Sequence, residues 1–345
     1  MDYAKLIQDA IVRGDWSSVF KEATAWAEDL MRTSHKDPRP HFALNVVHLI
    51  RGEVREAWKT HASSLQEADD IEKVRAWTEA MLKEHPDQAN IQLVAGLFLS
   101  QSGQSEQSVN RYKEAIKLAP DAAYPHFFLA QIHERVGRNE MAIKEYREAV
   151  KLDPSYVTAR TNLGVAYQEQ GQLEMAIPQY REVIRLTPND PVAHANLACA
   201  LAEQGKVEPA LLEYKEALRL NPRDAEVHFA LAGMYETKGR KDLAMEEYQE
   251  ALRADPNFAP AETAIGWMLF EKDRKQEAME CFSRALKNNP EDARAYLGIA
   301  RIYAARGKQQ MAMENYAQAL KLEKDPEQKN QIMNDLFKEG NTWDV

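Results

Sequence analysis

Prolines recur every 34 residues along most of this chain, at Pro86, Pro120, Pro154, Pro188, Pro222, Pro256 and Pro290. Proline cannot continue a helix and pushes the residue before it toward extended geometry. A chain cut at such even intervals can fold only into short elements of fixed length. Four further rows keep the same spacing. A small residue stands at Ser108, Ala142, Ala176, Ala210, Ala244, Ala278 and Ala312, with an aromatic four places later at Tyr112, Tyr146, Tyr180, Tyr214, Tyr248, Phe282 and Tyr316. Three beyond it come Ala115, Ala149, Val183, Ala217, Ala251, Ala285 and Ala319. A glycine precedes each set at Gly103, Gly137, Gly171, Gly205, Gly239 and Gly307, with Asp273 in the remaining copy. Five rows in register over seven copies identify a repeat array.

One copy, Val157–Pro188, reads as two amphipathic helices separated by Gly171. Ala176, Tyr180, Val183 and Leu186 fall at i, i+4, i+7 and i+10, one buried stripe of 3.6-residue period. In the first helix a second small row (Gly96, Ala130, Gly164, Ala198, Ala232, Gly266, Ala300) faces the small row of the second. Two helices can then approach at the short end of the usual interaxial range. A bulky substitution at Ala176 or Ala210 overpacks that seam, by about 1–3 kcal/mol. No hairpin has a core of its own; each buries a face on the next.

These rows resemble the tetratricopeptide repeat family from Ala89 to Leu322. The family's usual tryptophan early in the first helix is absent, its place taken by Gln92, His126, Arg160, His194, His228, Glu262 and Tyr296. The resemblance implies an all-α fold, a right-handed superhelical solenoid of antiparallel helix pairs whose concave wall is made by the first helices. It organises the chain as a divergent N-terminal helical region over 1–88, seven repeats over 89–324, and a capping helix with a short tail over 325–345.

The N-terminal region is read as helices over Asp2–Val12 and Asp15–Met31 around Gly14, with Val19, Ala23 and Trp26 near the repeat's column places. His41–Ile50 and Val54–Leu65 follow around Gly52, with Leu44, His48, Ala57 and His61 at repeat-like offsets, then Ile71–Glu84 without a first-helix mate. One long helix bent near Asp69–Asp70 is an alternative. Pro125, Pro191 and Pro260 open first helices, where a missing N–H costs little; Pro178 and Pro209 are placed in the first turns of second helices. Past Leu322 the period is expected to fail. Glu327–Lys338 would be a solvating end helix carrying Ile332, Met333, Leu336 and Phe337 on one face, stopped by Gly340, with Trp343 in a tail.

A net charge of −10 argues against nucleic acid, whose phosphates need a basic surface, and against anionic membranes. The start lacks a basic segment followed by an apolar run, and no stretch approaches 18 apolar residues, so neither a signal peptide nor a membrane span is expected and the cytoplasm is the expected location. Cys199 and Cys281 lie in different repeats and read as buried or half-buried thiols of a reducing compartment. No phosphate-cradling glycine motif and no CxxC is present, and His133-Glu134 lacks the second histidine of HExxH. His126, His194 and His228 share a place in separate first helices about 8–10 Å apart, too far for one zinc, whose ligands all lie within about 2 Å. They are expected to pack at seams between repeats. No metal, cofactor, small-molecule substrate or catalytic residue is expected.

What remains is surface. Projecting the helical period, the concave-groove candidates are Tyr124, Phe127, Gln131, Arg135, Thr161, Asn162, Gln168, Glu169, Asn196, Glu203, Phe229, Glu236, Trp267, Phe270, Glu271 and Arg301, with Glu134, Thr158 and Arg294 beside them. Asn162 and Asn196 resemble two rungs of the asparagine ladder in the repeat superhelix of O-linked N-acetylglucosamine transferases, although no transferase domain accompanies them. An amide can pair with a peptide backbone without reading its sequence. Chaperone-binding members of the family hold a C-terminal carboxylate with lysine and asparagine, then asparagine, then lysine and arginine in three successive repeats; around Asn162 the outer places here are Phe127, Gln131, Val192 and Asn196, around Asn196 they are Thr161, Val165, Glu226 and Ala230, and with no cation among them an acidic tail is not the expected ligand. Aromatics among carboxylates suit a neutral or basic protein segment. The expected function is a non-enzymatic scaffold or adaptor binding an extended peptide or helix of another protein. The alternatives are a structural subunit using its convex face or N-terminal helices, or a regulator of a separate enzyme.

Overall fold

The computed structural model describes residues 2–33, 37–50 and 68–341. Among them are nineteen helices and no strand, and none of the helices is long and apolar enough to cross a membrane. The chain falls into two compact units, Met1–Pro188 and Asn189–Val345, so the break lies inside the run of repeats.

In the first unit α1 (Tyr3–Arg13) and α2 (Trp16–Thr33) form a hairpin around Gly14, whose φ of 69° is the left-handed geometry glycine adopts without strain. α3 (Arg39–Ile50) starts two residues before its expected place, because Asp37 accepts from the Arg39 backbone N–H and side chain at the helix start. α4 (Ala68–Glu84) begins three residues early. The expected helix Val54–Leu65, with Ala57 and His61, lies outside the described residues, as does the alternative of one long bent helix. Val19, Ala23 and Trp26 are buried as their column places required. Three repeats follow: α5 (Ala89–Gln101) with α6 (Ser105–Leu118), α7 (Ala123–Arg135) with α8 (Asn139–Leu152), and α9 (Val157–Glu169) with α10 (Leu173–Leu186). Each first helix packs on its own second helix and on the one before, α6 on α7 and α8 on α9. Pro178 lies inside α10, a turn deeper than expected.

The second unit holds four repeats: α11 (Pro191–Glu203) with α12 (Val207–Leu220), α13 (Ala225–Thr237) with α14 (Lys241–Ala254), α15 (Ala259–Glu271) with α16 (Lys275–Asn288), and α17 (Ala293–Ala305) with α18 (Gln309–Leu322). α19 (Pro326–Asn341) closes it, packed on α18. Gly340 does not stop this helix, which runs to Asn341.

The glycine row closes every inter-helix turn the same way. In the third repeat the Gln172 N–H returns to the Tyr167 carbonyl at 2.8 Å, and in the sixth Arg274 returns to Leu269 at 2.9 Å. That closure needs a left-handed residue between the helices. Asp273 adopts φ 58° there and keeps the bond, at a strain that Asp, like Asn, tolerates better than most residues with a Cβ. The aromatic row forms the core: Tyr112, Tyr146, Tyr180 and Phe282 are fully buried, and a Cβ built on Gly164 would stand 2.6 Å from the Tyr180 ring.

Candidate functional site

The first-helix face of each unit carries the candidate residues. In the first unit Tyr124 packs edge-on against Tyr156 at 5.4 Å. Phe127 is 2% exposed, 4.9 Å from Tyr156 and 5.9 Å from Tyr146, so it belongs to the core and leaves the set a partner could reach. The projected period put it one step too far out, because Tyr156 in the loop before α9 folds over it. Gln131, Thr161 and Asn162 are half-buried, while Arg135 and Glu169 are exposed. Arg135 spans to the previous repeat, its guanidinium 3.4 Å from the Ser100 carbonyl and hydroxyl.

The buried tyrosines also reach this face. The Tyr146 hydroxyl donates to Glu134 at 3.0 Å, and the Asn162 amide donates to that same hydroxyl at 3.2 Å. Tyr180 donates to Gln168 at 2.9 Å, and in the second unit Tyr248 donates to Glu236 at 2.7 Å. Each acceptor stands twelve residues before its tyrosine. Burial holds the Glu134 carboxyl above the usual range against the Tyr146 bond, and the charge of Glu169 adds to it. Asn162 is therefore tied into the frame through its N–H₂ group.

In the second unit Asn196 is half-buried, and the Cys199 thiol donates to the exposed Glu203 at 3.4 Å. Phe229 sits between Tyr248 at 5.4 Å and Phe258 at 5.6 Å. Glu271 pairs with Lys241 at 2.5 Å. Trp267 packs on Phe270 and Phe282, and the Arg301 guanidinium lies 5.2 Å from its ring. Arg301 in turn holds Asp335 of α19 at 2.5 Å. Trp267, Arg301 and Asp335 are 34 residues apart, so the period continues into α19. This helix takes the place of an eighth first helix, and its expected break from the repeat is not found. Between these helices lies a cavity of about 380 Å³, lined by Trp267, Arg294, Leu297, Arg301, Gln328 and Gln331 among others. The two glutamines went unrecognised in the sequence; counting 34 onward from Arg294 and Leu297 gives both.

In six of the seven hairpins the place of the missing tryptophan holds a polar clamp between the two helices; the seventh has Tyr296 there. His126, His194 and His228 bond Glu145, Glu213 and Glu247 at 2.6–2.7 Å, nineteen residues on in the second helix of the same repeat. Arg160 bonds Gln179 at 3.1 Å and Arg111 bonds Gln92 at 3.2 Å at that same spacing, while Glu262 accepts from Arg284 at 2.8 and 2.9 Å. Gln92, Arg160 and His228 also reach back to the carbonyls of Pro86, Pro154 and Pro222. The histidines thus cross-link their own hairpins, where seams between repeats were expected. Histidine and glutamate at a spacing of nineteen was a signal the sequence offered.

A family model described as the cilia and flagella-associated protein 70 C-terminal domain matches residues 21–289, more than three quarters of the chain. The chain belongs to that family. A general tetratricopeptide repeat model matches residues 263–328. No curated protein matches the sequence. Among solved structures, a tetratricopeptide repeat protein from Parabacteroides merdae is 15% identical over 71% of this chain and 97% of its own, with a TM-score of 0.59. Yeast Tom70 is 14% identical over 99% of this chain and 88% of its own, with a TM-score of 0.54. The Cut9–Hcn1 hetero-tetramer of the APC/C gives 18%, 77%, 53% and 0.52 in the same order. At these identities the likeness is one of fold.

Proposed function

We propose that this family member is a non-enzymatic scaffold that holds a segment of another protein on the first-helix faces of its repeats. The observation that carries this reading is the cavity on the second unit's face. It combines a tryptophan, an aliphatic side chain, an arginine with no ion pair among the described residues, two exposed amides and the Glu323 carboxylate, the mixture that anchors a peptide. Glu134, Asn162, Gln168 and Glu236 are already fixed by bonds to the tyrosine row, so at those places a ligand would meet a preorganised surface. On the first unit the carboxylates of Glu134 and Glu169 favour a basic or neutral segment. A second reading, a lasting subunit of a larger assembly, is favoured by the family description, which is that of a cilia and flagella-associated protein.

Capture of partners from a native lysate tests this, comparing wild type with Gln131→Ala/Glu169→Ala and with Phe270→Ala/Arg294→Ala. One or both pairs should lower the affinity of a captured partner about tenfold or more with helicity unchanged. Unchanged affinity in titrations of both pairs rejects the first-helix face as the binding surface.

A further inference from the structure

The cavity between α15, α17 and α19 carries a positive charge that nothing in the chain neutralises. Its walls come from three successive first helices, so it lies within the run of repeats. On α17 Arg294, Leu297 and Arg301 fall at i, i+3 and i+7, one face of the helix. Gln328 and Gln331 occupy the places of Arg294 and Leu297 on α19, and Trp267 occupies that of Arg301 on α15. Two acids stand here, and both are engaged. One oxygen of Asp335 accepts from Nε and Nη2 of Arg301, at 3.0 and 2.5 Å. Oε1 of Glu323 accepts from the backbone N–H groups of Lys324 and Asp325 at 2.8 and 3.0 Å, where the chain turns into α19. Arg294 is exposed and makes no ion pair or hydrogen bond among the described residues.

The indole of Trp267 adds a second observation. Its Nε1–H is buried without an acceptor. Buried donors are rarely left so, and a ring with no bond to break can turn its edge to an acceptor brought in from outside. The uncommitted groups of the cavity are therefore mostly donors: a whole guanidinium, Nη1 of a second, an indole and two amides. The sign is opposite to that of the first unit's face, where Glu134 and Glu169 favour a basic or neutral segment.

We propose that this cavity receives an aspartate or glutamate side chain from within the partner's segment, with its carboxylate paired to Arg294. The inference rests on the proposed function, since it names the residue such a segment would place here. A guanidinium meets a carboxylate through two parallel N–H bonds. Leu297 and the Trp267 ring cover the methylenes, and Gln328 and Gln331 offer donors and acceptors to the flanking peptide groups. At about 380 Å³ the cavity is at the small end for ligand sites, which suits one side chain with its neighbouring peptide groups. It is not a clamp for a chain terminus: the place of the clamp's central asparagine is Ala264 and Gly298 in these repeats. The net charge of −10 repels an acidic peptide over most of the surface, so a preference for acid must be local.

NMR titration of the full chain tests this, following the Trp267 indole N–H resonance, assigned with Trp267→Phe. The probes are N-acetylated, C-amidated pentapeptides Ala-Leu-X-Leu-Ala, with glutamate, glutamine or lysine at X, added to about 10 mM. The glutamate peptide should shift the resonance to saturation, and the glutamine peptide should bind about tenfold or more weakly. Arg294→Gln should remove that difference; the side chain is exposed, so its thermal melt should match wild type. A glutamate preference that survives Arg294→Gln overturns the proposal. Sodium acetate at the same concentration should reproduce little of the shift, and an equal effect, the mark of a site for any small anion, also overturns it. Equal binding of the glutamate and glutamine peptides, or tighter binding of the lysine one, overturns the acidic assignment while leaving the first-helix face as a peptide site. Failure of all three peptides overturns the assignment as well, and lysate capture with the two paired variants then decides the face itself.

Discussion

Gly298→Ala and Gly233→Ala are the same chemical change in first helices of the second unit, and they should shift stability in opposite directions. A Cβ on Gly233 meets nothing within 4 Å. Alanine there gains only helix propensity, about 0.5–1 kcal/mol. A Cβ on Gly298 runs into Cζ and Cε2 of Phe282, a ring with no exposed surface. The ring has little room to retreat toward its own hairpin, because its other edge already lies against the Gly266 backbone, so close that an added Cβ would stand 2.6 Å away. Overpacking of this kind costs about 1–3 kcal/mol, and a ring held on both sides belongs at the upper end. Subtracting the propensity gain leaves a loss of about 1–2 kcal/mol for Gly298→Ala. Urea unfolding followed by far-UV circular dichroism reads the two midpoints, and hydrogen exchange in α15–α17 localises the loss. Phe282→Leu in the Gly298→Ala background should recover part of it, a coupling that independent sites would not show. If both glycine variants move the midpoint the same way, the packing account of the small rows is wrong.

Two other outcomes follow from the hairpin clamps and the thiols. Burial pulls the His228 imidazole down, but the Glu247 bond, with the Pro222 carbonyl and the charge of Glu250, outweighs it and raises the group above its ordinary value. The clamp should therefore contribute fully below the unfolded value of about 6.5 and fade as pH rises through the raised folded one; NMR titration of the ring should show the upward shift, and Glu247→Gln should abolish it. Burial pushes the Cys281 thiol up to about 11, leaving about one thiolate in ten thousand at neutral pH, so a thiol reagent followed by mass spectrometry should label the half-exposed Cys199 first and Cys281 only on unfolding.

The sequence displayed the fold wherever backbone geometry or close packing forced one residue type. Prolines, turn glycines and the small and aromatic rows located the helices of all seven repeats because each answers to a local rule. The candidate face was less legible. Helical projection separates inside from outside but cannot show that Tyr156 folds over Phe127, or that tyrosine hydroxyls reach Glu134, Gln168 and Glu236 from the neighbouring helix. Those contacts depend on where helices cross. α19 was misread because its identifying residues had changed: Asn334 replaced a small residue and Asp335 a repeat side chain, so only the spacing survived.

The clamp between the two helices of a hairpin, nineteen residues apart in five repeats and twenty-two in the sixth, constrains how such a chain can drift. Its chemistry varies from copy to copy, histidine with glutamate, arginine with glutamine, and once with the acid on the first helix and the cation on the second. Either end changed alone leaves a donor or acceptor stranded between two helices, whereas a matched pair of changes restores the bond. Each hairpin can therefore exchange its fastener without consulting its neighbours, and copies of one unit can grow unlike in sequence while remaining interchangeable in shape.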